Sequence, residues 1–374
     1  MKIIILGRGN AGCLSAIHFA HFRHFINKKV EIELVYDSKI KPVPTGQGTT
    51  LDFPVSLFHC FKSSFYQSFP FTFKTGIMYE NWSKKNKKML HAFPLGKYGL
   101  HFNPKEFQDY VCNNLKINFT EKDENIKDYN SLDADYIIDC RGTPKSLKEY
   151  NTLINPLNCA LLAELPKKEN DVKWTRCIAT KDGWCFYIPL PTKTSVGYLY
   201  NDKISSLKQV KNNFNKLFKI DKINHIFPFK QYVAKNPIID NRVLLNGNRL
   251  FFLEPLEATA MATYLWTAKC HYSYMFEDWS KEQTENSIKE YINKIQNFIL
   301  YHYSNYSLYK TNFWKHAKTL WDNTKTTNLD QELNQVKNMS NLEYQKTFSS
   351  TYEFAQWHQT SIKQWHDQIH TWQI

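Results

Sequence analysis

The chain has 374 residues, with 48 Lys and Arg against 35 Asp and Glu, a net charge of +13, and 16% aromatic residues. That length suits one large domain or two ordinary ones, and the aromatic load can build a sizeable core and line a pocket for a flat ligand. No run approaches the roughly 20 apolar residues needed to cross a bilayer, and the eight cysteines form no Cys-x-x-Cys pair, which argues against a zinc site or redox dithiol. The lysines are spread along the chain among Asn, Ile, Phe and Tyr, the composition of an AT-rich genome, so nucleic acid is not the expected partner. With no secretion signal, free thiols and a cytoplasmic location are expected.

The first element is the continuous apolar run Lys2–Leu6, read as a buried strand. Gly7, Gly9 and Gly12 match G-x-G-x-x-G directly after it, and a helix is expected over residues 11–25. Residues 30–36 alternate as a half-buried strand that ends at Asp37. Strand, glycine turn, helix, strand and acid in this order predict dinucleotide binding. The glycines allow a tight turn and close approach of a pyrophosphate, the helix N-terminus attracts its charge, and Asp37 would accept ribose hydroxyls. The motif by itself does not separate FAD from NAD.

Phe69, Phe71 and Phe73 alternate before Lys74, which predicts a strand carrying Lys74 on its opposite face. Residues 134–139 form another buried strand, ending at Cys140-Arg141-Gly142. Short β-rich runs at 157–165, 175–179, 184–189 and 195–200 predict an antiparallel sheet, with Trp184 and Phe186 on one strand face. Two further apolar runs lie at 243–245 and 250–253. Glycine is absent after Gly247 and proline after Pro255, and long helices follow, notably 281–303. The terminal segment carries Trp357, Trp365, Trp372, His358, His366 and His370. His366 and His370 stand i, i+4, but with no third ligand evident the expectation is packing, and no metal site is assigned.

Three landmarks taken together resemble the flavin-dependent tryptophan halogenase family: the glycine loop, Gly183-Trp184-Cys185-Phe186-Tyr187-Ile188-Pro189, and Glu254-Pro255-Leu256-Glu257-Ala258-Thr259-Ala260. They are similar to that family's Gly-rich loop, its G-W-x-W-x-I-P element and its D-P-L-E-S-T-G element. Phe186 stands for the second Trp and Ala260 for the final Gly. Phe73-Lys74 with Asn81-Trp82 resembles F-K-x-x-x-K-F-x-N-W, Gly46-Gln47-Gly48-Thr49 resembles G-E-A-T, and Asp139-Cys140-Arg141-Gly142 resembles D-C-S-G. Gly247-Asn248-Arg249-Leu250-Phe251 stands where the family has G-D-A-A-G. Residues 297–303 and 312–314 resemble packing motifs of the family's helical region, in a shorter chain.

The resemblance implies an α/β fold: an FAD-binding Rossmann-like domain with an inserted, substrate-side antiparallel sheet (1–265) and a C-terminal helical cap (266–374). It implies Lys74 and Glu257 as catalytic residues. Gly7, Gly9, Asn10, Ala11, Gly12, Asp37, Gly46, Gln47, Asp139, Gly142, Gly247 and Leu256 would bind FAD. Thr259 and Ala260 would hold halide, chloride, bromide or iodide, on backbone amides. Trp184, Phe186, Ile188 and Pro189 would separate flavin from substrate, so that hypohalous acid carries the chemistry to an electron-rich, indole-like aromatic. A lysine in such an apolar setting loses basicity and becomes a donor or nucleophile. A separate reductase would supply FADH2. A flavin monooxygenase and a catalytically degenerate nucleotide-binding protein remain as alternatives, and a homodimer as an open oligomeric state.

Overall fold

The computed structural model describes residues 1–122, 126, 128–220, 222–325, 327–339, 357 and 359–369. The chain folds into two compact units, each assembled from three segments. The first comprises Met1–Phe73, Tyr98–Leu153 and Tyr232–Glu290; the second comprises Lys74–Lys97, Ile154–Gln231 and Tyr291–Ile374. No helix among the described residues is long and apolar enough to cross a membrane.

The first unit is built on a six-stranded sheet in the order Ile238–Ile239, Val243–Leu245, Tyr136–Asp139, Lys2–Leu6, Glu31–Tyr36, Asn118–Glu121. All neighbouring pairs are parallel except the first. Ile3, Ile4, Ile5 and Leu6 are all buried, as expected of a central parallel strand covered on both faces. Glu31–Tyr36 instead alternates: Ile32 and Leu34 enter the core, while Glu33 meets Lys2 at 3.0 Å. The helix Asn10–Phe22 buries every residue from Ala11 to Ala20 and packs against the helix Thr259–Phe276. It stops at Phe22, three residues short of the sequence expectation, because Arg23–Phe25 tightens into a 3-10 turn. Phe53, Phe69, Phe102 and Phe107 stack in the same core with ring centroids 5.1–5.9 Å apart. Each such ring contributes roughly 1.5–3 kcal/mol by burial. The Rossmann-like parallel sheet expected from the N-terminal pattern is therefore present.

The second unit carries a seven-stranded sheet in the order His225–Pro228, Cys159–Pro166, Lys193–Tyr200, Gly183–Pro189, Thr175–Thr180, Gly76–Glu80, Lys88–Ala92. The four central strands pair antiparallel, as the run spacing predicts. Gly76–Glu80 joins Thr175–Thr180 in parallel. One sheet face, with Cys185, Tyr187, Val196 and Tyr198, packs on Val210 and Phe214 of the helix Leu207–Phe218. Ser206 caps that helix by accepting from the Gln209 amide.

Beyond Thr259 every element among the described residues is helical: Thr259–Phe276, Lys281–Tyr301, Asn312–Thr324, Thr327–Asn338 and Gln359–Gln368. Trp82, Trp314 and Trp365 are buried in the second unit. The indole N–H groups of Trp82 and Trp314 donate to the carbonyls of Cys177 and Thr180 at 2.9 and 2.8 Å. Those bonds remove the cost of burying a polar indole edge. Trp357 and Trp365 ring His302, with centroids 4.9 Å away from each, so these tryptophans are core residues as expected. His358, His370 and Trp372 lie outside the described residues.

Candidate active site

In the first unit, three backbone segments converge on the glycine loop. The strands Lys2–Leu6 and Glu31–Tyr36 run in register, and the Gly7 amide donates to the Val35 carbonyl at 2.7 Å. This sets Asp37 at the C-terminal end of the neighbouring strand, where its carboxylate accepts from the Lys39 amide. A methyl group on Gly12 would lie 1.8 Å from the Gly7 carbonyl oxygen, so only glycine allows the helix to start this close to the strand. The position above Gly9 is open, with nothing within 4 Å of a Cβ there. Arg141 presses its backbone against Gly7, and Gly247 sits against Ala11. The helix Asn10–Phe22 has no side-chain cap and no acid in its first turn, and the Asn10 amide oxygen is buried without a hydrogen-bond partner among the described residues. An uncapped first turn beside an open glycine is a cradle for a pyrophosphate. Gly7, Gly9, Asn10, Ala11 and Gly12 therefore fit a dinucleotide. Gly46 and Gln47 lie apart in sequence, in a short strap whose strand Gln47–Gly48 pairs with Gly99–Phe102. Gly142 is exposed and Leu256 is buried.

Asp139 ends the strand Tyr136–Asp139, opposite Leu6 and next to the glycine loop. Its side chain is fully buried and engaged by protein on both oxygens. Arg141 donates from its amide and Nε to Oδ1 at 3.0 Å, and from a terminal nitrogen to Oδ2 at 2.8 Å. Arg249 Nε and the Tyr129 hydroxyl also reach Oδ2, at 3.0 and 2.7 Å. Burial would raise the Asp139 pKa, yet the Arg141 hydrogen bonds and the charges of Arg249 and Arg141 hold it below the usual carboxylate range. Burial, followed by the Asp139 charge, pushes the Tyr129 phenol up to about 12, so it remains a donor. The carboxylate of Asp139 thus organises the loop next to the cradle. Arg141 and Arg249 are the residues that sequence reasoning missed. The signal was Arg249 itself, a cation where the family pattern has alanine.

The segment leading into the helix Thr259–Phe276 is strained. Glu257 and Ala258 both adopt positive φ, 65° and 57°, and neither is glycine. The turn buries Glu257 and starts the helix without a side-chain cap or an acid in its first turn. The Thr259 hydroxyl is fully buried and has no hydrogen-bond partner among the described residues. Its carbonyl accepts from the Thr263 hydroxyl at 2.9 Å. Free amides at Thr259 and Ala260, together with an unsatisfied hydroxyl, suit a small anion. Asn248 is held in the same unit, its side-chain oxygen accepting from the Tyr264 hydroxyl at 2.9 Å.

Lys74 lies in the second unit at the end of the strand Thr72–Lys74. It is 2% exposed whereas Phe73 is 44% exposed, so the two side chains point to opposite faces as predicted. The expected strand is shorter than the Phe69–Phe73 alternation implied, because Phe69 closes a short helix. The Lys74 ammonium lies 5.5 Å from the Phe93 ring centroid, within cation–π range. Gly76–Glu80 follows it directly, two strands from Gly183–Pro189. All seven residues of Gly183–Pro189 are buried, including Trp184, Phe186, Ile188 and Pro189. Trp184 and Phe186 share a face with ring centroids 6.5 Å apart. The Phe186 ring fills the space that a side chain on Gly197 would take, 2.3 Å from a Cβ there. His366 is buried, and no group of three metal-ligand side chains occurs among the described residues.

Comparison with known proteins bears on these residues. The sequence pattern of the tryptophan halogenase family matches residues 2–130 and 122–365. Tryptophan 7-halogenase KtzQ of Kutzneria sp. (strain 744) is 22% identical in an alignment 275 residues long that covers 63% of this chain and 51% of that protein, about half its length. The crystal structure of a tryptophan halogenase from Shewanella frigidimarina superposes with a TM-score of 0.78 at 18% identity, covering 99% of this chain and 88% of that one. BrvH, a flavin-dependent halogenase from Brevundimonas sp. BAL3, gives 0.79 at 15% identity, covering 98% and 89%. At these identities the structural likeness speaks for the fold.

Proposed function

The chain belongs to the tryptophan halogenase family, a family of flavin-dependent enzymes, and we propose that it halogenates an electron-rich aromatic of the indole class. The observation that carries the reading is Lys74, a lysine buried to 2% exposure in a segment that resembles the family's F-K-x-x-x-K-F-x-N-W element. Reduced FAD from a separate reductase, when bound, supplies with oxygen the two-electron oxidation that turns halide into hypohalous acid.

The protein's own groups do the rest. The uncapped first turn at Asn10–Gly12 holds the pyrophosphate. The amides of Thr259 and Ala260, with the Thr259 hydroxyl, hold the halide. Trp184 and Phe186, two buried aromatics on one strand face, would separate the aromatic substrate from the flavin, so that hypohalous acid carries the chemistry. The Lys74 ammonium hydrogen-bonds that halogen species and directs it at the ring. Glu257 accepts the proton that the ring loses on substitution.

The test supplies the protein with reduced FAD, oxygen and catalase, and separately chloride, bromide or iodide, with a promiscuous electron-rich aromatic scored by mass spectrometry. Halide-dependent halogenated product above a protein-free control is expected. Lys74→Ala should abolish it while FAD binding, read by flavin fluorescence, persists. Retained halogenation in Lys74→Ala would remove the lysine's role. Oxygenated product formed without halide would replace the reading with a monooxygenase.

A further inference from the structure

A basic, open edge lies in the second unit, away from the residues assigned above. Residues 203–230 contain seven lysines and a single acid, Asp221. Lys208, Lys211, Lys216, Lys219, Lys222 and Lys230 are all exposed, and none has an ion-pair partner among the described residues. The helix Leu207–Phe218 and the segment after it border an open depression of about 670 Å³, lined by Lys211, Phe214, Asn215, Lys216, Lys222 and Ile223. Two residues beyond Ile223 begins the strand His225–Pro228. It is the terminal strand of the seven-stranded sheet, paired on one side only among the described residues, with Ala160 opposite Phe227 and Leu161 opposite Ile226.

All four residues of this strand are exposed, including Ile226 at 44% and Phe227 at 38%. Neighbouring residues of a strand point to opposite faces, so both faces are bare at this edge. An open edge with exposed apolar side chains is a template for another strand, and proteins usually blunt such edges. Here Pro228 blunts only its last position. The lysines beside it outnumber the one acid of the segment and make its charge positive on balance.

We propose that this edge is a docking site for an acidic protein segment, which adds as an extended strand along His225–Pro228 and places its carboxylates among Lys211, Lys216 and Lys222. Main-chain hydrogen bonds supply the ladder, whichever of Ile226 and Phe227 shares the face of the guest's alternate apolar side chains packs against them, and the lysines select acidic sequences. A nucleic acid would use the lysines but neither the ladder nor the apolar pair. The strand order sets the site five interstrand steps of about 4.8 Å, about 24 Å along the sheet, from Gly76–Glu80 and the adjoining Lys74. The guest is therefore a tethering partner and not the reacting aromatic, and the inference stands independently of the halogenation reading.

The test is fluorescence anisotropy of the full chain with a fluorescein-labelled heptapeptide of alternating glutamate and valine. Three comparison probes are the same peptide N-methylated at alternate backbone nitrogens, its lysine–valine counterpart, and a twelve-nucleotide single-stranded DNA. Saturable binding of the acidic peptide is expected, weakened at least tenfold by backbone N-methylation and at least tenfold between 50 and 500 mM salt. The exposed-lysine variant K216E/K222E should lose at least tenfold in affinity with an unchanged melting temperature. Hydrogen exchange at residues 225–228 should slow on binding. Equal binding of the N-methylated peptide, tighter binding of the DNA, or no binding of the acidic peptide would each overturn the proposal.

Discussion

Two histidines buried in the first unit make the protein acid-sensitive by a calculable amount. His18 lies on the helix Asn10–Phe22, its ring 4.6 Å from Phe22 and 5.8 Å from Tyr272. His271 is fully buried on the helix Thr259–Phe276, and neither of its ring nitrogens has a hydrogen-bond partner among the described residues. Burial, reinforced by the charge of Lys269 at His18 and of His18 at His271, lowers both from 6.5 to about 3. Because the folded-state values are depressed, the unfolded chain takes up the protons first. Stability is therefore full above about pH 6.5 and falls as the pH drops toward 3. At pH 5 each histidine costs about 2 kcal/mol of stability, or about 4 kcal/mol for the pair. Urea unfolding followed by tryptophan fluorescence at pH 7.5 and pH 5 should show a midpoint fall of roughly 1 M. In the double variant His18→Phe, His271→Leu most of that fall should vanish, while His21 and His316, lowered in the same direction but more exposed, remain in both proteins. Equal losses of midpoint in parent and variant would refute the reasoning.

Three further outcomes follow from particular contacts. Gly12→Ala puts a methyl group into the Gly7 carbonyl and should cost about 3 kcal/mol and abolish FAD binding, read by calorimetric melting and flavin fluorescence titration. Ala258→Gly relieves a positive φ and should stabilise the fold by about 1 kcal/mol in thermal melts. Arg249→Ala removes one of the two guanidinium partners of a buried carboxylate and should destabilise by about 3 kcal/mol at pH 7. That deficit should shrink as the pH falls through the carboxylate range, since the folded Asp139 pKa is depressed and its stabilising contribution disappears on protonation.

The elements that sequence reasoning reached were those whose pattern is local. The run Lys2–Leu6 and the alternation of residues 31–36 carry their own period, and the glycine loop names its turn by spacing. Lys74 could be placed on the opposite face from Phe73 because successive residues in a strand diverge. Gly183–Pro189 was harder to orient, since all seven residues are buried and the alternation of Trp184 and Phe186 with Cys185 and Tyr187 shows no polar face. What stayed hidden was non-local or conformational. Arg249 reaches Asp139 across 110 residues, which no spacing announces. Glu257 and Ala258 take left-handed backbone without glycine or asparagine to signal it. The helix Leu207–Phe218 carries a local signal of its own, a Ser206 cap with Gln209 three residues on.

The interleaved construction of the two units has a consequence for synthesis on the ribosome. The central strand Lys2–Leu6 needs Tyr136–Asp139 on one side, and that strand in turn needs Val243–Leu245. At about 10 residues per second, some 25 s pass between the emergence of the first strand and of the last. Throughout that interval an apolar strand waits with an unpaired flank, the kind of surface that aggregates or is held by chaperones. Because each unit draws on three separate stretches of chain, no contiguous fragment contains the whole of one unit without stretches of the other. Yield in a heterologous host should therefore respond more to slower translation or added chaperones than to trimming the gene into parts.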